Sequence, residues 1–232
     1  YQSEPPTHPQ LLDWLASRLI ENNWRLKPMH KLILSSAAWR QSSSYDEAKA
    51  AKDLDNQLLW RFTPRRLEGE VIRDSLLTVS GQLDKTMYGK GTLDERTKRR
   101  SVYFFIKRSK LIPTMQLFDA PEPLVSQGRR LSTTIAPQAL MFMNSPNVRG
   151  YATAFAQRLT KEAGEDLEKA VRAGYRAALG RQPDDEEMNA ALQFLKSQKE
   201  AYQEAKQGNP GHLALVDFAQ TLFGLNEFSY LR

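Results

Sequence analysis

Two carboxylates one helical turn apart, Glu70 and Asp74, stand in the stretch RFTPRRLEGEVIRDSLLTVSG (61–81), and a third, Asp119, follows Phe118. Side chains four residues apart share one side of a helix. A carboxylate pair placed so beside an apolar face could act as general acid and base or hold a hard cation. Glycosidases use two carboxylates about 5–10 Å apart across a cleft. Glu70, Asp74 and Asp119 are therefore the candidates for an enzyme acting on polysaccharide. The same spacing has an architectural reading. Like charges at that distance repel, and Arg66, four residues before Glu70, and Arg73, three after it, can offset them in a partly buried ion-pair network. That second reading is preferred: Arg66, Glu70, Arg73 and Asp74 form a structural polar network, and no catalytic residue is assigned. On this reading Asp74→Ala destabilises the fold.

The network needs a helix to carry it. Thr63 suits an N-cap, Pro64 a first helical position and Gly81 a left-handed stop. At 100° per residue, Leu67, Val71, Ile72, Leu76 and Val79 cover half the circumference, Leu77 sits on the opposite flank, and Arg66, Arg73 and Ser80 occupy the polar strip. So wide an apolar arc predicts a helix buried among others. Further helices are predicted at 8–21 behind a Thr7–Gln10 capping box, at 28–40 after Pro28, and weakly over 46–57. Another, 136–143, is expected to be capped by Thr134 with Ala136, Leu140 and Met143 inward. The junction Asn144-Ser145-Pro146 starts a helix over 146–162, Gly180 closes one over 166–179, and Asp184 with Glu187 opens a long one to about 206. The last, 212–223, buries Leu213, Val216, Leu222 and Phe223. Ser101–Ile106, rich in β-branched and aromatic residues, is the one strand candidate. The expected fold is mainly α: a multi-helix orthogonal bundle with a long basic irregular insertion (82–131) and at most one or two short strands. It is read as a single helical domain over 1–232, with a seam between 1–163 and 164–232 as the alternative.

Composition narrows the chemistry. The chain has 232 residues, 41% hydrophobic and 26% charged, which is ordinary for a globular protein. No apolar run approaches the ~20 residues of a membrane span. Cysteine is absent, which excludes disulfides, thiolate catalysis, zinc–cysteine sites and covalent haem attachment within this chain. His8, His30 and His212 match no ligand spacing, so no metal is expected. No nucleophile elbow or phosphate-binding glycine loop is present. Net charge is +6, and from Gly81 to Leu131 eleven basic residues face five acids, a difference of six that accounts for the whole excess. So concentrated a field suits an anionic partner. Arg99, Arg100, Lys107, Arg108, Arg129 and Arg130 are the candidate binding residues, with a sulfated glycan as one polyanion they would suit. Nucleic acid is disfavoured, because no recognised motif accompanies the basic run. The chain begins at Tyr1 and is expected to be a fragment of a larger protein.

Several polar blocks remain: Pro6-Thr-His-Pro-x-Leu-Leu-Asp-Trp-Leu-Ala16; His30-Lys-Leu-Ile-x-Ser-Ser-Ala with Arg40-Gln-Ser-Ser43; and Leu58-Leu-Trp-Arg61 with Arg65-Arg-Leu-Glu-x-Glu-x-Ile-Arg-Asp74 and Val79-Ser-Gly81. They continue with Arg99-Arg-Ser-Val-Tyr103, Phe118-Asp119, Arg129-Arg130, Ser132-Thr-x-x-Ala-Pro-Gln-Ala-Leu140 and Asn144-Ser145-Pro146. Weaker echoes are Ala178-Leu-Gly-Arg-x-Pro183 and Leu225-Asn-Glu-Phe228. Together, nearly end to end, these resemble the DUF1553 family, the planctomycete PSD1 domain. The resemblance implies the C-terminal part of a large exported bacterial protein, in the periplasm or cell envelope, with a DUF1549 domain and often a cytochrome c-like domain upstream. Haem would then sit on an upstream domain, and the upstream domains are the expected partners. It implies no established activity. The Asn-Arg-x-x-Trp-like segment with which family domains usually open is missing here.

Overall fold

A computed structural model describes residues 5–124, 126–128 and 130–231. The chain divides into two compact units, 1–65 and 66–231. Its described residues form twelve α-helices and one two-stranded sheet, Arg65–Arg66 against Tyr230–Leu231, so the fold is mainly α.

The first unit holds α1 (Pro9–Glu21), α2 (Leu26–Ser35), α3 (Ala37–Arg40) and α4 (Glu47–Ala50). The Thr7–Gln10 box does not form; Thr7 Oγ1 instead bonds His8 Nδ1 at 3.0 Å, and His8 caps α1 without a side-chain bond. The helix predicted over 28–40 is interrupted at Ser36, whose hydroxyl accepts the Trp39 N–H and restarts the chain as α3. Asp46 caps α4 in the same way. Thr63 caps nothing. Its hydroxyl accepts from Asn56 Nδ2 at 2.9 Å, part of a loop that Asn56 closes on the Arg61 backbone. α1 buries no residue at all, and Leu11, Leu12, Ile20, Leu26 and Leu34 stay exposed along α1 and α2.

The second unit contains α5 (Gly69–Val79), a 3-10 turn (Ser101–Tyr103), α6 (Pro113–Leu117), α7 (Ala136–Asn144), α8 (Pro146–Ala163), α9 (Leu167–Leu179), α10 (Asp185–Glu204), α11 (Pro210–Gly224) and α12 (Asn226–Ser229). α11 packs against α7, α8, α9 and α10, and α5 packs on α6, α8 and the 3-10 turn. One apolar core joins them. Phe155 stacks on Phe223 at 5.7 Å, Phe223 meets Phe228 at 5.1 Å, and Ile72, Leu159, Val171 and Leu222 close around them. Residues on both sides of Gly164 share this core. Two signals read from sequence hold in this region: Asp184 and Glu187 form a reciprocal box, and Gly180 ends α9 with φ +73°; Asp166, accepting the Lys169 N–H, is a further cap.

In the second unit α5, α7 and the segment 101–106 differ from expectation. α5 begins at Gly69 rather than Pro64, because Arg65–Arg66 is drawn into the strand pair and Leu67 donates to the Ser229 carbonyl at 2.8 Å. The buried face also differs: Leu77 is wholly buried, while Val71 is 44% exposed. α7 is capped at Ile135, not Thr134, and buries Gln138 and Phe142, leaving Leu140 and Met143 exposed. Gln138 decides that face, since its Nε2 donates to the Leu117 carbonyl at 2.9 Å. The strand predicted at Ser101–Ile106 is a 3-10 turn followed by a single bridge, Thr92 to Phe104. No longer neighbour runs beside it, and Val102, Phe105 and Ile106 are exposed rather than core.

Gly69 opens α5 where α6 crosses it. A Cβ built there would stand 2.9 Å from Phe118 Cβ. Gly69→Ala is therefore expected to destabilise the chain by about 1–3 kcal/mol through overpacking, read as a lower urea midpoint, although alanine is the better helix former.

Candidate functional site

The insertion after α5 has little regular structure of its own, and its backbone is organised by side chains. Arg73 is the principal one. Its guanidinium donates to the Arg99 carbonyl at 3.0 Å, the Ser101 hydroxyl at 3.1 Å, the Glu95 carbonyl at 3.2 Å and the Thr97 carbonyl. It also lies over the Phe104 ring, 4.6 Å from the centroid. A planar fork of five donors can gather alternate carbonyls of an extended segment in this way; an ammonium cannot. Arg73 is 3% exposed. Burial pulls its pKa down, while Tyr151, Asp74 and Glu95 act the other way. Asp74 completes the clamp, accepting the Ser101 N–H at 2.7 Å and Arg100 Nε at 3.4 Å, with Arg73 3.9 Å away. Glu95 ties the far end, its carboxylate accepting the Thr114 N–H at 2.9 Å. Arg99 repeats the device within the insertion. It donates to the carbonyls of Thr86, Tyr88 and Lys90 and stacks on Tyr103 at 3.7 Å.

A second cluster closes the other side of α5. Arg66 meets Asp119 at 2.5 Å and donates to the Thr133 carbonyl at 3.0 Å. Asp119 also accepts from the Thr133 N–H at 2.8 Å and hydroxyl at 2.7 Å. Burial opposes the Asp119 charge, but the two Thr133 donors and the Arg66 and Arg130 guanidiniums together hold its carboxyl below the usual carboxylate range. Arg130 donates to the Asp119 carbonyl oxygen at 3.1 Å, to Glu70 at 2.8 and 3.2 Å, and to Glu68 at 3.2 Å.

The ion pairs around α5 join other partners than the expected ones. Arg66 does not pair with Glu70: it lies in the strand segment ahead of α5, so the one-turn spacing never arises, and Arg130 takes Glu70 instead. Arg73 turns away from Glu70 onto backbone carbonyls. Among the candidate binding residues, Arg99 and Arg130 are engaged in internal hydrogen bonds. Arg129 lies outside the described residues. Arg100, Lys107 and Arg108 are exposed.

Beside this network lies a cavity of about 500 Å³. Val71, Phe104, Phe105, Ile112 and Met115 supply much of its apolar wall. Glu68, Glu70, Asp74, Arg100, Lys107 and Lys110 also line it. Glu70 and Asp74 are therefore brought to one cavity, as the acid–base reading required, whereas Asp119 does not line it. Sequence reasoning missed Lys110 and the apolar lining. The signal lies in the basic residues that flank the aromatic run 101–106, but reading that run as a strand conceals it. Among the described residues no group of three or more His, Asp or Glu is placed to hold a metal ion, and no helix is long and apolar enough to cross a membrane.

The C-terminal part has its own clamp. Arg181 pairs with Glu187 at 2.6 Å and Glu227 at 2.7 Å, joining the α9–α10 loop, the first turn of α10 and α12. Hydrogen bonding to Arg181 lowers the Glu187 pKa.

No curated protein and no solved structure matches the chain. The family model described as PSD1, Protein of unknown function (DUF1553), matches residues 1–195, a range that takes in α5, the insertion and both clusters and ends inside α10. The two arginine–carboxylate clusters and the cavity beside them are thus features of a chain that belongs to the PSD1 (DUF1553) family.

Proposed function

We propose that this chain is a non-catalytic binding or assembly module of a large exported bacterial protein of the periplasm or cell envelope. Its working surface is the basic turn 107–110 and the adjoining cavity. The observation that carries this reading is the engagement of every carboxylate an enzyme would use. Glu70 is held by Arg130, Asp74 by the Ser101 N–H and Arg100, and Asp119 by Arg66 and Thr133. A general acid or base must be free to exchange a proton with substrate. Leu11, Leu12 and Ile20 on α1 and Leu26 and Leu34 on α2 are exposed apolar side chains that a partner could cover, which supports the assembly side, with the upstream domains of the same protein as the natural partners.

Two other readings have an observation each. Glu70 and Asp74 both line the cavity, which favours a polysaccharide-cleaving enzyme, but their hydrogen-bond donors oppose it. Lys107, Arg108 and Lys110 stand exposed on one turn, which favours a sulfated glycan or similar polyanion. Lys107→Glu/Arg108→Glu is expected to elute from a heparin column at clearly lower salt than the parent chain. Unchanged elution would remove the basic turn from the working surface. Arg99 is left out of this test because its charge holds the loop at Thr86–Lys90.

A further inference from the structure

The cavity beside α5 is graded in polarity. Ile112 and Met115 are buried at its floor, Phe104 is half-buried, and Phe105 and Ile106 stand exposed at its edge. Its volume of about 500 Å³ lies within the range of small-molecule sites, roughly 300–1,000 Å³. The charges around it are not evenly matched. Glu68 and Glu70 share Arg130, and Asp74 faces Arg73 and Arg100. Lys107 and Lys110 line the same cavity and form no ion pair among the described residues. Both are exposed, and a backbone bond from Lys110 N–H to the Lys107 carbonyl at 3.1 Å holds them on one tight turn.

We propose that the cavity binds a small amphipathic organic anion. Its aliphatic or aromatic body lies against Val71, Phe104, Ile112 and Met115, and its carboxylate, sulfonate or phosphate meets Lys107 and Lys110. This rests on the reading of the chain as a binding module and adds the ligand class and the depth of the site. A neutral apolar ligand would leave both ammonium groups without a counter-charge. A cation would find only carboxylates already bonded to donors.

The test uses 8-anilinonaphthalene-1-sulfonate, an aromatic sulfonate, titrated into the whole 232-residue chain and followed by fluorescence. Saturable binding at one site is expected. Lys107→Glu/Lys110→Glu, both at exposed positions, should weaken it by about tenfold or more, equivalent to roughly 1.4 kcal/mol. Val71→Trp, at a half-exposed wall position, should fill the cavity and abolish binding while leaving heparin retention intact. The neutral analogue N-phenyl-1-naphthylamine should be lost in Val71→Trp but not in the charge-reversed variant. Sulfonate binding unchanged in Val71→Trp, or unchanged in the charge-reversed variant, would overturn the proposal. If heparin elution still depends on Lys107 and Arg108, the working surface survives that failure and only the cavity is eliminated. Dodecanoate displacing the probe assigns a free acid, and phosphatidylglycerol vesicles alone displacing it assign a bilayer lipid. Displacement by neither would also overturn it.

Discussion

Arg73→Ala is expected to destabilise the chain by about 3–5 kcal/mol, the cost of removing one partner from a buried charged network. The substitution strands the carbonyls of Glu95, Thr97 and Arg99 and the Ser101 hydroxyl in a partly dry environment. Unsatisfied buried polar groups cost about 1–3 kcal/mol each where water cannot reach them. It also leaves Asp74 with one fewer cation and takes the guanidinium from the face of Phe104. Arg73→Lys should recover little, because three donors on a flexible stem cannot reproduce the fork that spans alternate carbonyls. Equilibrium urea unfolding checks both variants. Proteolysis adds a local readout, since the insertion between Gly81 and Ile112 should become the first site of cleavage. A variant with parental stability and an uncut insertion would show that the insertion is held by something else.

Asp119→Ala is the second large effect, about 2–4 kcal/mol, because it leaves the Arg66 guanidinium, 5% exposed, without its carboxylate. The same residue predicts a pH dependence. Its folded pKa is depressed below the unfolded value, so its contribution to stability is fully present above about pH 4 and is lost as pH falls through the folded value. Glu187, lowered by Arg181, acts in the same direction. Melting temperature should therefore fall on acidification below about pH 4. The fall should be shallower in Asp119→Asn, which keeps shape and loses the titration. An acid limb of identical slope in that variant would contradict the assignment.

These pairings explain why sequence exposed part of the site and concealed the rest. The helices from Pro146 onward were legible because their signals are local: Pro146 at a helix start, the Asp184–Glu187 box, Gly180 in the left-handed region. The start of α5 was not, since the strand that displaces it pairs with Tyr230–Leu231 at the far end of the chain. Local spacing suggests Arg66 and Arg73 as the partners of Glu70, and the pairs that form lie elsewhere. Arg66 finds Asp119 at a separation of 53 residues and Glu70 finds Arg130 at 60, and no periodicity carries that information. The run Ser101–Ile106 misled because β-branched and aromatic composition describes a half-buried surface as well as a strand. Here it supplies an edge of a cavity.

The acids beside α5 serve architecture. Equilibrium urea unfolding of Asp74→Ala tests it most directly, since Asp74 lines the cavity yet accepts the Ser101 N–H at 2.7 Å. A loss of about 2–3 kcal/mol is expected from the stranded N–H and the uncompensated arginines, seen as a lower midpoint with an unchanged slope. A midpoint equal to that of the parent chain would mean that Asp74 holds nothing in place, and would return that carboxylate to chemistry.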